Sequence, residues 1–128
     1  VHLNEQYMIG GMKTEAGTDR VIPIADKILP LVKNRYDANR RFLVNNKYGN
    51  HYTYGSYVSA NFNTVMNKLN MKHLPHDGRH TFASLMDDAG ANEVCIKLIM
   101  GHSMRNNVTK GVYTHKTTQQ LIDEVNKI

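Results

Sequence analysis

The chain has 128 residues and a mass of 14.6 kDa, with 41% hydrophobic and 21% charged residues. Those proportions fit a folded domain with a modest core and exclude wholesale disorder. Sixteen Lys and Arg against 11 Asp and Glu give a net charge of +5 and a pI near 9.4, which points to a polyanionic partner. No apolar run approaches the roughly 20 residues of a membrane span and no signal peptide opens the chain, so a cytoplasmic protein without a membrane partner is expected.

Residues 6–24 read as a β-hairpin. Tyr7-Met8-Ile9 and Arg20-Val21-Ile22-Pro23-Ile24 are rich in strand formers, and Gly10-Gly11 and Ala16-Gly17-Thr18-Asp19 supply turn chemistry between them. Lys13 falls near the tip. A short helix is predicted from Asp26 to Tyr36, with Ile28, Leu29, Val32 and Tyr36 on one side and Pro30 in its first turn. Arg41–Val44 reads as a brief extended piece and Asn45–Gly55 as a loop. Tyr48, Tyr52 and Tyr54 are expected to pack that loop down, stacking on DNA being the alternative.

From Ser56, an N-cap candidate, the pattern turns helical through Val58, Phe62, Val65, Met66 and Leu69. Asp77 can cap a further helix with Phe82, Leu85, Met86 and Ala89 inside, ended by Gly90. Asn92 caps another through Val94, Cys95, Leu98 and Ile99, ended by Gly101. A last helix from Thr117 to Lys127 carries the stripe Leu121, Ile122, Val125 and Ile128. The lone Cys95, in an apolar run, excludes an internal disulfide and reads as a small buried hydrophobe. The expected class is α+β, mainly α: a small N-terminal hairpin on a helical body, as one domain over residues 1–128.

Charge is unevenly placed. No carboxylate occurs between Asp37 and Asp77, a stretch holding Arg40, Arg41, Lys47, Lys68 and Lys72. None occurs between Glu93 and Asp123 either, where Lys97, Arg105, Lys110 and Lys116 fall. Of these, Arg105, Lys110 and Lys116 are the candidate DNA contacts. Within the same regions stand His76-Asp77-Gly78-Arg79, Gly101-His102-Ser103 and Tyr113-Thr114-His115. Together they offer a phenol as nucleophile, a guanidinium whose planar fork suits phosphate, and imidazoles to hold or move protons, with neither metal nor cofactor required. His76 and Arg79, three residues apart, are expected at one end and side of a helix whose N-terminal dipole and free N–H groups favour phosphate oxygens. Taken singly, each residue has a plainer use. His76 can be a surface or capping histidine, Arg79 a solvated cation and Lys13 a bare turn residue. His102 can satisfy carbonyls at a helix end, and Tyr113 can be a half-buried packing group.

The ordered set resembles the tyrosine recombinases, the phage integrase family. His76-Asp77-Gly78-Arg79 with His80-Thr81-Phe82-Ala83 is similar to the family's His-x-x-Arg box and following helix. Met100-Gly101-His102-Ser103 is similar to its Leu-Gly-His box, and Val112-Tyr113-Thr114-His115 to its nucleophile segment. Lys13-Thr14 followed by Arg20-Val21-Ile22-Pro23 resembles its lysine hairpin. The resemblance implies site-specific recombination or integration of double-stranded DNA by several protomers. In it Tyr113 forms a 3′-phosphotyrosyl link, Lys13 protonates the leaving 5′-oxygen, His76 transfers a proton or holds the phosphate, and Arg79 and His102 stabilise the transition state. The family's first catalytic arginine lies upstream of the hairpin, and none of Arg20, Arg35, Arg40 or Arg41 matches it. The chain is therefore expected to be the C-terminal portion of a longer recombinase, with the upstream DNA-binding domains absent and the fragment inactive alone. His102 and Tyr113 also stand slightly further apart than is common in the family. Three rivals are a non-catalytic DNA-binding module, a type IB topoisomerase-like strand transferase, and a metal protein built on His73, His76 and His80.

Overall fold

The computed structural model describes residues 1–11, 15–103 and 116–128. The fold is α+β and mainly α, as the residue pattern predicts. Its described residues fall into two compact units, one comprising residues 1–30 and 82–128, the other 31–81.

The first unit contains the hairpin. Strands β1 (Tyr7–Gly10) and β2 (Arg20–Pro23) pair antiparallel, with Tyr7 opposite Pro23 and Gly10 opposite Arg20. Pro23, lacking an N–H, lies at the end of its strand, where the lost donor costs least. A 3₁₀ turn, Glu15–Gly17, leads into β2. Helix α4 (Asp77–Asp88) contributes Met86, which has no exposed surface. Helix α5 (Glu93–Met100) contributes Cys95, Ile99 and Met100, and α6 (Thr118–Val125) contributes Leu121, Ile122 and Val125. Of these, Met86, Cys95, Ile99, Leu121 and Val125 cluster with Ala25, and Val21, Phe82, Ile96, Leu98 and Ile128 pack around them. The stripe on α6 is thus buried against its own chain.

Local chemistry fixes these helices. Asn92 Oδ1 accepts from the N–H groups of Val94 and Cys95 at 3.0 and 3.3 Å, capping α5 as predicted. Thr117 and Gln120 form a reciprocal capping box at the start of α6. The end of α6 is tied to the hairpin's exit, where Asn126 Oδ1 accepts from Asp26 N–H at 2.8 Å. Leu85, predicted inside, is 48% exposed, because Met86 alone takes the buried position at that turn.

The second unit is organised differently. Helix α1 (Leu29–Arg35) is shorter than expected, because Ile28 and Leu29 N–H groups both bond Ala25 O in a turn that precedes it. No regular strand forms at 41–44; there is only an isolated bridge between Asn45 and His51. The loop is held by polar side chains instead. Asn45 donates to Phe42 O at 3.0 Å and accepts from Arg40 Nη1 at 3.1 Å, and Asn46 Oδ1 accepts from the N–H groups of Tyr48 and Asn50. Tyr48 and Tyr54 are 75% and 70% exposed, which corrects the expectation that they pack the loop down. Of the three, only Tyr52 packs, edge-on to Tyr57.

Helix α2 (Tyr54–Tyr57) is capped by Thr53, not Ser56; Thr53 Oγ1 accepts from Ser56 N–H at 3.2 Å. A π-helical turn, Val58–Phe62, joins it to α3 (Asn63–Lys68), and Asn63 N–H reaches back five residues to Val58 O. That extra residue rotates the helix face. Val58, Phe62 and Met66 stay half-buried, while Val65 and Leu69, predicted on the same stripe, are 49% and 59% exposed.

Candidate active site

His76 and Arg79 are brought together at the start of α4. The turn Leu74-Pro75-His76 runs directly into the helix, with Asp77 N–H bonding Leu74 O and Arg79 N–H bonding His76 O, both at 3.0 Å. Proline suits this position because its fixed φ matches the first helical turn and its missing N–H is not needed there. Asp77 does not cap from outside. It lies within the first turn, and its carboxylate accepts from Leu74 N–H at 2.9 Å and contacts His73 Nδ1 at 3.3 Å. The Leu74 N–H foremost, then His73, hold the Asp77 carboxyl below the ordinary carboxylate range. Two N–H groups expected to be available to a phosphate are thus already used within the turn. The His76 ring meets His80 edge to face with centroids 5.1 Å apart, so His76 is exposed but oriented, and Arg79 is half-buried.

His102 follows the end of α5. Gly101 adopts φ +67°, the left-handed conformation that ends helices. Gly101 N–H bonds Leu98 O at 3.1 Å and His102 N–H bonds Lys97 O at 2.9 Å, a Schellman arrangement that fixes where the chain leaves the helix. The next carbonyl, Ile99 O, accepts from Arg20 Nε at 2.8 Å, while Arg20 Nη1 donates to Gly17 O at 3.1 Å. The hairpin therefore lies directly on the Gly101 corner. A Cβ on Gly101 would stand 2.8 Å from Gly17 Cα. The imidazole of His102 is exposed and borders a cleft of about 380 Å³ with Ala83, Ser84, Asp87, Glu93, Lys97 and Met100. Lys97 is ion-paired with Glu93, one turn before it on α5.

Lys13, Arg105, Lys110 and Tyr113 lie outside the described residues. Lys116 is half-buried, and its charge acts on Glu124 and Cys95. Among the described residues no group of three or more His, Cys, Asp and Glu could hold a metal ion. His73 pairs with Asp77 while His76 and His80 pack ring to ring. Arg20 is the residue sequence reasoning passed over. Its partner carbonyl is 79 positions away, and an arginine in a short strand gives no sign of which end of which helix it will reach.

Basic charge concentrates in the unit that carries His76 and Arg79. Residues 31–81 hold Lys33, Arg35, Arg40, Arg41, Lys47, Lys68, Lys72 and Arg79 against Asp37 and Asp77. Among the described residues no helix is long and apolar enough to cross a membrane.

The described residues thus combine an α+β fold with a His-x-x-Arg sequence at one helix start and a Gly-His sequence at another helix end. The chain belongs to the phage integrase family, whose model matches residues 2–120. It is 27% identical to a tyrosine recombinase of Thermosipho africanus, over 86% of this chain and 39% of that protein. It is 27% identical to the tyrosine recombinase XerC of Chlorobaculum tepidum, over 84% of this chain and 36% of that protein. It is also 27% identical to the transposase from transposon Tn916 of Enterococcus faecalis, over 95% and 34% respectively. The chain thus spans between a third and two fifths of the length of these relatives. No solved structure matches it.

Proposed function

We propose that this chain carries the strand-cleaving and strand-joining chemistry of a site-specific DNA recombinase. Tyr113 Oη attacks the scissile phosphorus: the Oη–P bond forms, the P–O5′ bond breaks and the P–O3′ bond is kept, leaving a 3′-phosphotyrosyl ester. The phenolic proton passes to a base, a role proposed for His76, and Lys13 supplies a proton to the departing 5′-oxygen. A free phenol with a pKa of about 10 is a poor nucleophile at neutral pH, so cationic groups must stabilise its anion and the charge gathering on the phosphate. Arg79 and His102 take that task. Ester energy is retained in the protein–DNA link, so the 5′-hydroxyl of a second strand reverses the step and completes exchange without metal or nucleotide.

The observation that carries this reading is the family match over residues 2–120; His76 immediately before α4, Arg79 in its first turn and His102 after the Gly101 corner support it. The basic excess of residues 31–81 has the sign a phosphate backbone calls for, and Arg105, Lys110 and Lys116 are proposed as DNA contacts. Double-stranded DNA and further protomers are the partners, and no small-molecule cofactor enters the scheme. The test is a nicked suicide duplex incubated with the full-length protein. A covalent protein–DNA adduct is expected, lost in Tyr113→Phe and reduced at least about 100-fold in Arg79→Ala, on the scale of deleting a preorganised transition-state donor. An adduct that persists in Tyr113→Phe would refute the scheme.

A further inference from the structure

We propose that Arg20 is a positioning residue for His102, acting through the end of α5 and not through DNA. The proposal rests on the functional reading of His102 given above. Three observations carry it. The Schellman arrangement takes up Lys97 O and Leu98 O, and Arg20 Nε donates to the next carbonyl, Ile99 O, at 2.8 Å. The same guanidinium donates through Nη1 to Gly17 O at 3.1 Å, so one planar group joins the hairpin's turn to the helix end. Gly101 and Gly17 approach so closely that a Cβ on Gly101 would lie 2.8 Å from Gly17 Cα and 3.1 Å from Arg20 Cδ, so the hairpin's hold on the corner has no slack.

The chemistry fits this use. A cation at a helix C-terminus is favoured by the carbonyl dipoles, and a half-buried guanidinium engaged on two carbonyls is committed to protein. His102 begins one residue after the clamped corner, with its own N–H bonded to Lys97 O. The direction in which its side chain leaves the helix is therefore set by Gly101's left-handed turn, by that bond and by Arg20. Lysine cannot reproduce the hold, because its ammonium is a point donor without a planar pair of N–H groups.

The test is a double-mutant cycle in the full-length protein, reading single-turnover adduct formation on the suicide duplex for wild type, Arg20→Ala, His102→Ala and the double variant. Arg20→Ala is expected to slow cleavage about 10- to 100-fold, the scale on which displacing a catalytic group by about 1 Å acts. On the His102→Ala background the same change is expected to cost less than about 2-fold. Equal losses on both backgrounds, or no loss, would overturn the proposal. Should Arg20→Ala fail to fold, Arg20→Lys takes its place in the cycle with the same expected pattern. A second readout needs no catalysis. The His102 ring resonances and the exchange rate of its backbone amide are expected to change in Arg20→Lys while those of His73 and His80 do not, and an unmoved His102 would overturn the role. Failure of the recombinase reading looks different: wild type forms no Tyr113-dependent adduct at all.

Discussion

Gly90 and Gly101 provide a matched pair. Both end helices in the left-handed region, at φ +64° and +67°, yet an added Cβ meets nothing within 4 Å at Gly90 and meets Gly17 Cα at 2.8 Å at Gly101. Alanine at either position incurs the left-handed penalty of about 1–2 kcal/mol. At Gly101 it also drives a methyl into backbone, which cannot turn aside as a side-chain end can; such overpacking adds about 1–3 kcal/mol. Gly90→Ala is therefore expected to cost about 1 kcal/mol and Gly101→Ala about 3 kcal/mol. Urea titrations followed by circular dichroism measure both, with an unchanged slope showing that stability alone has moved. The neighbours at risk are Gly17 Cα and Arg20, so Gly101→Ala should also lengthen or break the Arg20–Ile99 bond. Equal costs for the two substitutions would refute the close approach of hairpin and helix end.

Met86→Ala, at a fully buried site, is expected to lose about 2–5 kcal/mol in the same titration, whereas Leu85→Ala on the exposed side should stay within about 1 kcal/mol. Cys95 is 1% exposed and burial pushes its thiol up, so a disulfide reagent should modify it only in denaturant; rapid native labelling would contradict the packing of α5. Glu124 accepts from Lys127 at 2.8 Å and from Asn92 N–H at 2.7 Å, and these partners, Lys127 first, lower its carboxyl pKa. A carboxyl with a lower pKa folded than unfolded stabilises above the ordinary carboxylate range and loses that contribution as pH falls through its folded value. Glu124→Gln should accordingly flatten the acid side of a stability–pH curve below about pH 4.3, the ordinary glutamate value, and an unaltered slope would show the pair to be inert.

What sequence reasoning reached, and what it missed, divides by the range of the interaction. Asn92 as cap, Gly101 as stop, the hairpin and the buried Cys95 were legible because each depends on a few neighbouring residues and on side-chain chemistry that has few alternatives. The three-residue step from His76 to Arg79 put Arg79 in the first turn of α4, with His76 in the turn just before it. Ser56 was read as the cap, but Thr53, three positions earlier, takes that place and Ser56 supplies the N–H that it caps. The π-helical turn was not legible, since a single wide turn alters no residue type and only shifts which side chains face inward. Asp77's role was half-read: the helix start was right, but the carboxylate serves the residue before the turn. Arg20 was read as a hairpin residue and set aside as the missing catalytic arginine, but its hold on the end of α5 was not legible, because a contact spanning 79 positions leaves no local trace.

No apolar side chain of residues 31–81 is fully buried, while positive groups crowd the same stretch. Such a region lacks the oily interior that lets a fold tolerate mutual repulsion on its outside. Screening of that charge by salt is expected to set the stability of this stretch: a urea midpoint followed for residues 31–81 should rise between low and moderate ionic strength, and a flat response would refute the repulsion.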